Sequence, residues 1–336
     1  MKLRVVCFGE LLLRLSAPGR ERLLQTPGLE VHVGGAEANV AVSLARFGHE
    51  AAMVSTVPGN ALGEAAVGEL RRHGVDTGHV RAGAGRMGLY FLSHGALHRP
   101  SEVLYDRADS AFGRSADYDW ERLLEGAHWL HLSGVTPALG EATAQATLAA
   151  ARAARRRGVM VSFDGNFRRK LWQAWDGDAA TLLRQIFAEC DLLFADHRDI
   201  AVVLGTHAGS EGEAAVAEAA AQAFSAFPHL HWLASTLRTQ HSVDWHSLSA
   251  LMFGRGGERY RGPDYELRAI VDRIGTGDAF AAGVLHGLLS EMEPLGGLRF
   301  GLGAACLKHS LPGDFNLSTR EDVEAFVAEA GFHVRR

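Results

Sequence analysis

Short runs of β-branched and aromatic residues alternate with alanine-rich stretches whose apolar residues recur at helical spacing, over most of this 336-residue chain. That is the pattern of βαβ units feeding a mainly parallel sheet, so an α/β fold is expected. Strands are expected over 3–8, 51–57, 128–133, 159–164, 192–195 and 231–235. Helices are expected over 36–47, 63–73, 140–157, 212–226 and 278–290. Gly48, Gly74 and Gly158 follow the first three of these helices, where left-handed C-terminal caps belong.

Two stretches, 11–34 and 86–108, break the alternation and read as strands without intervening helices. Strands that cannot join the parallel core must bury their apolar face elsewhere, so we expect a small discontinuous β-sheet lid over one edge of the main body. Length alone is compatible with one or two domains. With nine prolines and no repeat, low-complexity tract or proline-rich linker, the chain reads as one domain over 1–336.

A 47% hydrophobic share against 22% charged residues supplies a sizeable core and excludes wholesale disorder. The net charge of -5, with no long basic tract, argues against nucleic acid as a partner. No segment reaches the roughly 18 uncharged apolar residues of a membrane helix, and no export signal is visible, so no membrane association is expected. Cys7, Cys190 and Cys306 are too few and too far apart for a disulfide framework or a CxxC zinc pair, which fits a reducing cytosol and a cytoplasmic location. The 17 histidines are scattered and lack an HExxH context, so none is read as a zinc ligand.

Gly83-Ala84-Gly85-Arg86-Met87-Gly88 satisfies GxGxxG, with Asp106 placed like a ribose-binding acid. Its context is wrong for a dinucleotide site, because the glycines lead into the strand-like run LYFLS instead of opening a helix. A flexible turn into the lid is the better reading. The informative segment is Asp272-Arg273-Ile274-Gly275-Thr276-Gly277-Asp278-Ala279-Phe280-Ala281-Ala282-Gly283. Its glycines allow a tight turn whose N–H groups converge on an anion, and Asp278 then opens an alanine-rich helix whose positive end favours negative charge. On spacing alone, an ordinary glycine turn with Asp278 as an N-cap is about as good a reading. No GxxxxGK[ST] occurs, so a P-loop is excluded.

With this segment in view the sequence resembles the ribokinase-like (PfkB) carbohydrate kinases, whose C-terminal signature is DxxGxGDxFxxG. Gly34-Gly35-Ala36-Glu37-Ala38-Asn39, followed by Leu44-Ala45-Arg46-Phe47-Gly48, is similar to the family's sugar-contacting GGxxxN segment. Val57-Pro58-Gly59-Asn60-Ala61-Leu62-Gly63 and Gly74-Val75-Asp76 resemble its next landmarks, in the right order, so the likeness spans nearly the whole chain. The resemblance implies a three-layer α/β/α sandwich with a β lid, ATP and Mg2+ as cofactors, and a small-molecule sugar or sugar acid as partner. It also implies a homodimer through the lid, and it leaves a monovalent cation open. Gly275, Thr276 and Gly277 would then supply an anion hole for the γ-phosphoryl group, and Asp278 the base for the acceptor hydroxyl.

Asp164-Gly165-Asn166-Phe167-Arg168-Arg169-Lys170-Leu171-Trp172 resembles the D-x-N-x-R-x-x-L-W segment of the 2-keto-3-deoxygluconate kinase group, as do Tyr105-Asp106-Arg107 and Lys308-His309-Ser310-Leu311-Pro312-Gly313-Asp314. A sugar acid carries a carboxylate that guanidinium groups read with paired hydrogen bonds, which makes Arg107 and Arg168 the candidate readers. Tyr90 and Tyr105 are expected against the carbon chain, and Asn39, Gly34 and Gly35 at the hydroxyls. Where relatives carry N-x-x-E, this chain has Asp196 and Asp199, and direct metal contact gives way to a water-mediated role for Asp199. Where relatives often show T-x-G-x-x-G, it reads Thr236-Leu237-Arg238-Thr239-Gln240-His241-Ser242; the glycine turn is lost and Arg238 is expected to supply charge beside Thr236 and Lys308 on the nucleotide side. Three readings follow: a kinase of 2-keto-3-deoxygluconate, a kinase of fructose or another sugar, and a sugar-binding protein on a kinase scaffold with impaired nucleotide use.

Overall fold

The apolar run Val5-Val6-Cys7-Phe8 is buried at all four positions, which only a strand covered on both faces satisfies. In the computed structural model, which describes residues 3–207 and 209–328, this run lies in β1 (Arg4–Phe8), an interior strand of a ten-stranded sheet. The other strands of that sheet are β4 (Glu50–Pro58), β5 (Asp76–Gly83), β8 (Trp129–Ser133), β9 (Met160–Asp164), β10 (Leu192–Phe194), β11 (Trp232–Gln240), β12 (Trp245–Gly254), β13 (Arg259–Arg261) and β14 (Tyr265–Arg268). Their order is β13-β12-β11-β10-β9-β8-β1-β4-β5, parallel from β11 to β5, with β12 antiparallel to β11, β13 and β14.

Helices α1 (Ala36–Arg46), α2 (Ala61–Arg72), α3 (Trp120–Leu123), α4 (Glu141–Arg156), α5 (Arg169–Gln173) and α6 (Ala179–Phe187) follow the first strands. Then come α7 (His197–Leu204), α8 (Gly212–Ala226), α9 (Thr276–Leu289), α10 (Pro294–Lys308) and α11 (Arg320–Val327). Alternation along β1 divides them into two layers: Val5 and Cys7 join the core of α1, α2, α9 and α10, while Val6 and Phe8 join that of α4, α6, α7 and α8. Two cores on opposite faces make a three-layer α/β/α sandwich. Gly48, Gly74 and Gly158 end their helices at φ 95, 83 and 69, as expected of left-handed caps.

The two irregular stretches form a second sheet, β3-β2-β6-β7, from β2 (Leu12–Ser16), β3 (Glu30–Gly34), β6 (Gly88–Ser93) and β7 (Glu102–Asp106). Its period of two places His32, Arg14, Tyr90 and Tyr105 in one row across the strands. The GxGxxG decoy is the connection from β5 into β6, and Arg86 holds Asp106 through two hydrogen bonds of 2.6 Å. Neighbours of β1 are β4 on one side and β8 on the other, so the order reverses there and opens a crevice at the carboxyl ends of these strands.

Strands β5 and β12 to β14 and helices α3, α5, α6, α7 and α11 go beyond the expected elements, and two further departures bear on the site. β11 continues to Gln240 because β12 pairs with it over nine residues, so 236–240 is strand and not turn. α10 was not anticipated, since four glycines in 294–308 lower helix propensity. They serve packing instead: a Cβ on Gly283 would stand 2.5 Å from Gly301 Cα, and one on Gly287 would stand 2.4 Å from Gly297 Cα. Glycine lets α9 and α10 touch backbone to backbone, which fixes the helix that opens with Asp278.

Gly283→Ala should therefore destabilise the protein by about 1 kcal/mol, because forcing backbones apart costs about 1–3 kcal/mol and exceeds the ~1 kcal/mol gain in helix propensity. Gly296→Ala, whose Cβ would meet only Met292 Cβ at 3.9 Å, should gain stability instead. Urea midpoints of the two variants test the sign of each effect.

Candidate active site

Gly275 takes φ 79, and a Cβ there would fall 2.0 Å from the carbonyl oxygen of Asp314, so glycine is required at this turn. Thr276 Oγ1 donates to the Arg273 carbonyl at 3.0 Å, and the Ile274 N–H donates to Asp272 Oδ1 at 3.0 Å. Ala279 is the first residue of α9 to donate within the helix, to Gly275 O at 2.9 Å. The amides of Thr276, Gly277 and Asp278 therefore precede the helical ladder and converge at its positive end. All of Gly275 to Asp278 line one cavity of about 800 Å³ between the lid and the strand ends.

Asp278 is the third residue of α9, behind the N-cap Gly275, and so is not itself the cap. Its side chain is only 9% exposed, and Oδ2 accepts a 2.6 Å hydrogen bond from Asn39 Nδ2 on the first turn of α1. Burial lifts its carboxyl to about 7, opposed by the Asn39 hydrogen bond and assisted by the nearby charges of Glu37 and Asp314. Burial also holds Asp164, at the end of β9, well above the usual carboxylate range, with Asp278 and Asp199 adding repulsion.

The lid closes the other wall. Tyr90, Tyr105, Arg107, Gly35, Asn39 and Arg168 all line the cavity, as expected of sugar contacts. The Tyr90 hydroxyl donates to Asp314 Oδ2 at 2.6 Å. Arg107 is already paired: Nε and Nη2 reach Glu10 Oε2 at 2.7 and 2.5 Å, and Glu10 is 2% exposed. Arg168 differs, since among the described residues no hydrogen bond or ion pair engages its guanidinium. Its charge instead draws down the carboxyls of Asp164 and Asp278.

Arg238 and Arg273 also line the cavity. Burial disfavours the charge on each, and each of Arg273 and Arg198 opposes that of Arg238. The remaining expected residues stand outside this wall. Asp196 and Asp199 form a capping box on α7, Asp196 Oδ1 accepting from the Arg198 and Asp199 amides and Asp199 Oδ2 from the Asp196 amide. Burial raises Asp199 to about 6. Thr236 pairs with Ala250 within the sheet. Lys308 is fully buried, its Nζ donating to Leu311 O at 2.9 Å, and burial lowers it to about 8. Gly34 ends β3 against the Asp314 carboxylate, where a Cβ would stand 2.2 Å from Oδ2. Among the described residues no group of three or more His, Cys, Asp or Glu side chains is assembled for a metal ion.

Sequence reasoning missed the roles of Glu10, Arg14, Arg273 and Asp314. Asp314 stood inside a quoted motif, and Arg14 carried a faint signal as a lone charge in the run LLLRL. Nothing local marked Glu10 as the partner of Arg107, 97 residues away.

Comparison with known proteins finds likenesses over nearly the whole chain. The family model described as pfkB family carbohydrate kinase matches residues 2–319. A 2-dehydro-3-deoxygalactonokinase of Haloferax volcanii is 34% identical over 96% of both chains. A 2-dehydro-3-deoxygluconokinase of Thermoproteus tenax is 28% identical over 92% of this chain and 89% of its own. Among solved structures, a 2-dehydro-3-deoxygluconokinase of Thermotoga maritima superposes with a TM-score of 0.91 at 39% identity, over 97% of this chain and 99% of its own. A glycine turn opening α9, a buried carboxylate beside it and a lid of four strands thus occur in a chain that belongs to the pfkB family of carbohydrate kinases.

Proposed function

We propose that this chain transfers the γ-phosphoryl group of ATP to the terminal hydroxyl of 2-keto-3-deoxygluconate, giving its 6-phosphate. The observation that carries the choice of an acid is Arg168, an unpartnered guanidinium in the same cavity as Asp278 and the glycine turn. The Haloferax relative's name supports a second reading in which the C4 epimer, 2-keto-3-deoxygalactonate, is accepted as well. Fructose and other neutral sugars would leave the Arg168 charge uncompensated.

In this reading Asp278 takes the proton of the attacking hydroxyl, the new O–P bond forms at that oxygen, and the bond to ADP breaks. The amides of Gly275, Thr276 and Gly277, which lie ahead of the first helical hydrogen bond together with that of Asp278, would meet the charge that spreads over the phosphoryl oxygens. Arg238 and Arg273 grip the polyphosphate, in place of the missing glycine turn. Mg2+ bound to the phosphates would neutralise charge there, held through water by Asp164 and Asp199, whose raised carboxyls a cation would relieve. Asp196, Thr236 and Lys308 support the nucleotide side from behind.

The lid's outer row, Val31-Leu15-Phe91-Leu104, leaves Val31 and Leu104 58% and 59% exposed, which supports a homodimer through this sheet. Three unpaired, buried cysteines support a reducing, cytoplasmic setting.

A coupled ADP-release assay should give the highest kcat/KM with the two keto-acids, less with fructose and none with nucleosides; a preference for fructose would overturn the acid assignment. Because the base must be ionised, kcat should rise with pH through about 7. Asn39→Leu removes a hydrogen bond that favours the ionised form and should move that limb to higher pH. Asp278→Asn should lose at least about 100-fold in kcat; a flat profile or near-normal turnover would exclude Asp278 as the base. Arg168→Met should raise KM for the keto-acids about 10- to 100-fold, as loss of a charged hydrogen bond predicts, and barely change that for fructose. Arg107→Met strands the buried Glu10 charge and should harm both substrates.

A further inference from the structure

Arg14 sits on the inner face of β2 and is 1% exposed, yet it is a lid residue whose bonds leave the lid. Nη2 donates to Asp272 Oδ2 at 2.6 Å, Nη1 to Asp314 Oδ1 at 3.1 Å, and Nε to Ser16 Oγ at 2.7 Å. Asp272 in turn accepts from the amides of Ile274 and Gly313, each at 3.0 Å, and so fixes the segment that leads into Gly275. Asp314 accepts from the Tyr90 hydroxyl, and its own carbonyl packs on Gly275. A continuous buried chain thus runs from Tyr90, which faces the sugar cavity, through Asp314, Arg14 and Asp272 to the turn that opens α9.

The charges close on themselves. Asp272 and Asp314 face Arg14 and the buried Lys308, two against two. Ion pairs buried this deeply stabilise a fold little more than apolar residues of the same size would, while removing one partner is costly, so they hold geometry better than they add stability. Bidentate guanidinium geometry also fixes orientation, which an ammonium in the same place would not.

We propose that Arg14 is a positioning residue that couples the lid to the anion hole, so that sugar bound under the lid tightens nucleotide at the glycine turn, and the reverse. The inference rests on the kinase reading above and adds a residue to it. Coupling of this kind is reciprocal and typically amounts to about 5- to 150-fold in affinity.

Isothermal titration of a non-hydrolysable ATP analogue, with and without saturating 2-keto-3-deoxygluconate, measures it directly. In the wild type the sugar acid should tighten the analogue about 10-fold or more. In Arg14→Met this enhancement should fall below about two-fold, with each ligand alone still binding and kcat reduced more than the sugar KM is raised. Arg14→Lys, which can satisfy only one carboxylate at a time, should restore part of it. Should Arg14→Met fail to fold, Arg14→Gln with Asp272→Asn removes one charge of each sign and serves the same measurement. Full enhancement in a folded variant, merely with a lower melting temperature, reduces Arg14 to a structural ion pair and overturns the proposal. Binding of both ligands without mutual enhancement in the wild type overturns it while sparing the kinase reading; no binding of the sugar acid at all removes both.

Discussion

The geometry depends on holding several carboxylates at or near the cavity, where burial disfavours their charge. Asp278, Glu37, Asp164, Asp199 and Asp314 all have their carboxyls raised, with burial as the largest cause. An anionic phosphoryl group could not enter such a space unless positive counterparts were built in. They are supplied by three different means: the unladdered amides of α9, the guanidiniums of Arg168, Arg238 and Arg273, and the Arg14–Lys308 pair that faces Asp272 and Asp314. Glu37 shows how tightly the balance is drawn, since its Oε1 accepts hydroxyl bonds from Ser133 and Thr136 at 2.8 and 2.6 Å while its charge still pushes Asp278 upward.

The fold was legible where a segment's fate is decided by its own pattern. Buried runs such as Val5 to Phe8 and alanine-rich stretches such as Glu141–Arg156 announce themselves, because burial on two faces or on one stripe leaves a period in the sequence. It was illegible where a partner decides. The glycines of α10 look like loop residues until Gly283 and Gly287 of α9 stand against them. Residues 236–240 look like a phosphate turn that has lost its glycines until β12 pairs with them as strand.

The site divides along the same line. Gly275 to Asp278 form one turn, so the turn could be read from adjacent letters, and only the family resemblance chose between an anion site and a plain cap. Asn39 could be placed near them only through resemblance, and its actual bond is to Asp278, 239 positions away. Arg107 and Arg168 looked equivalent in sequence, each an arginine in a keto-acid motif. What separates them is Glu10, which pairs with one and leaves the other free. On the proposed reading, a substrate carboxylate would meet a charge already balanced at Arg107 and one without an ion-pair partner at Arg168, so equal-looking arginines would carry unequal weight.

The lost glycine turn on the nucleotide side takes on a different meaning in this setting. A glycine turn binds phosphate with backbone dipoles, whose attraction falls off within a short distance. A strand paired with β12 as far as Gln240 cannot form such a turn, because its backbone is held extended and its alternate amides bond to β12. What it offers is a side chain near its end, and Arg238 lines the same cavity as Arg273. Two guanidiniums that repel each other in the protein alone are relieved by a polyanion between them, and their formal charges reach further than amide dipoles do. On the proposed reading, the sequence departure replaces one means of holding phosphate by another, with Arg273 drawn from the segment that leads into the glycine turn.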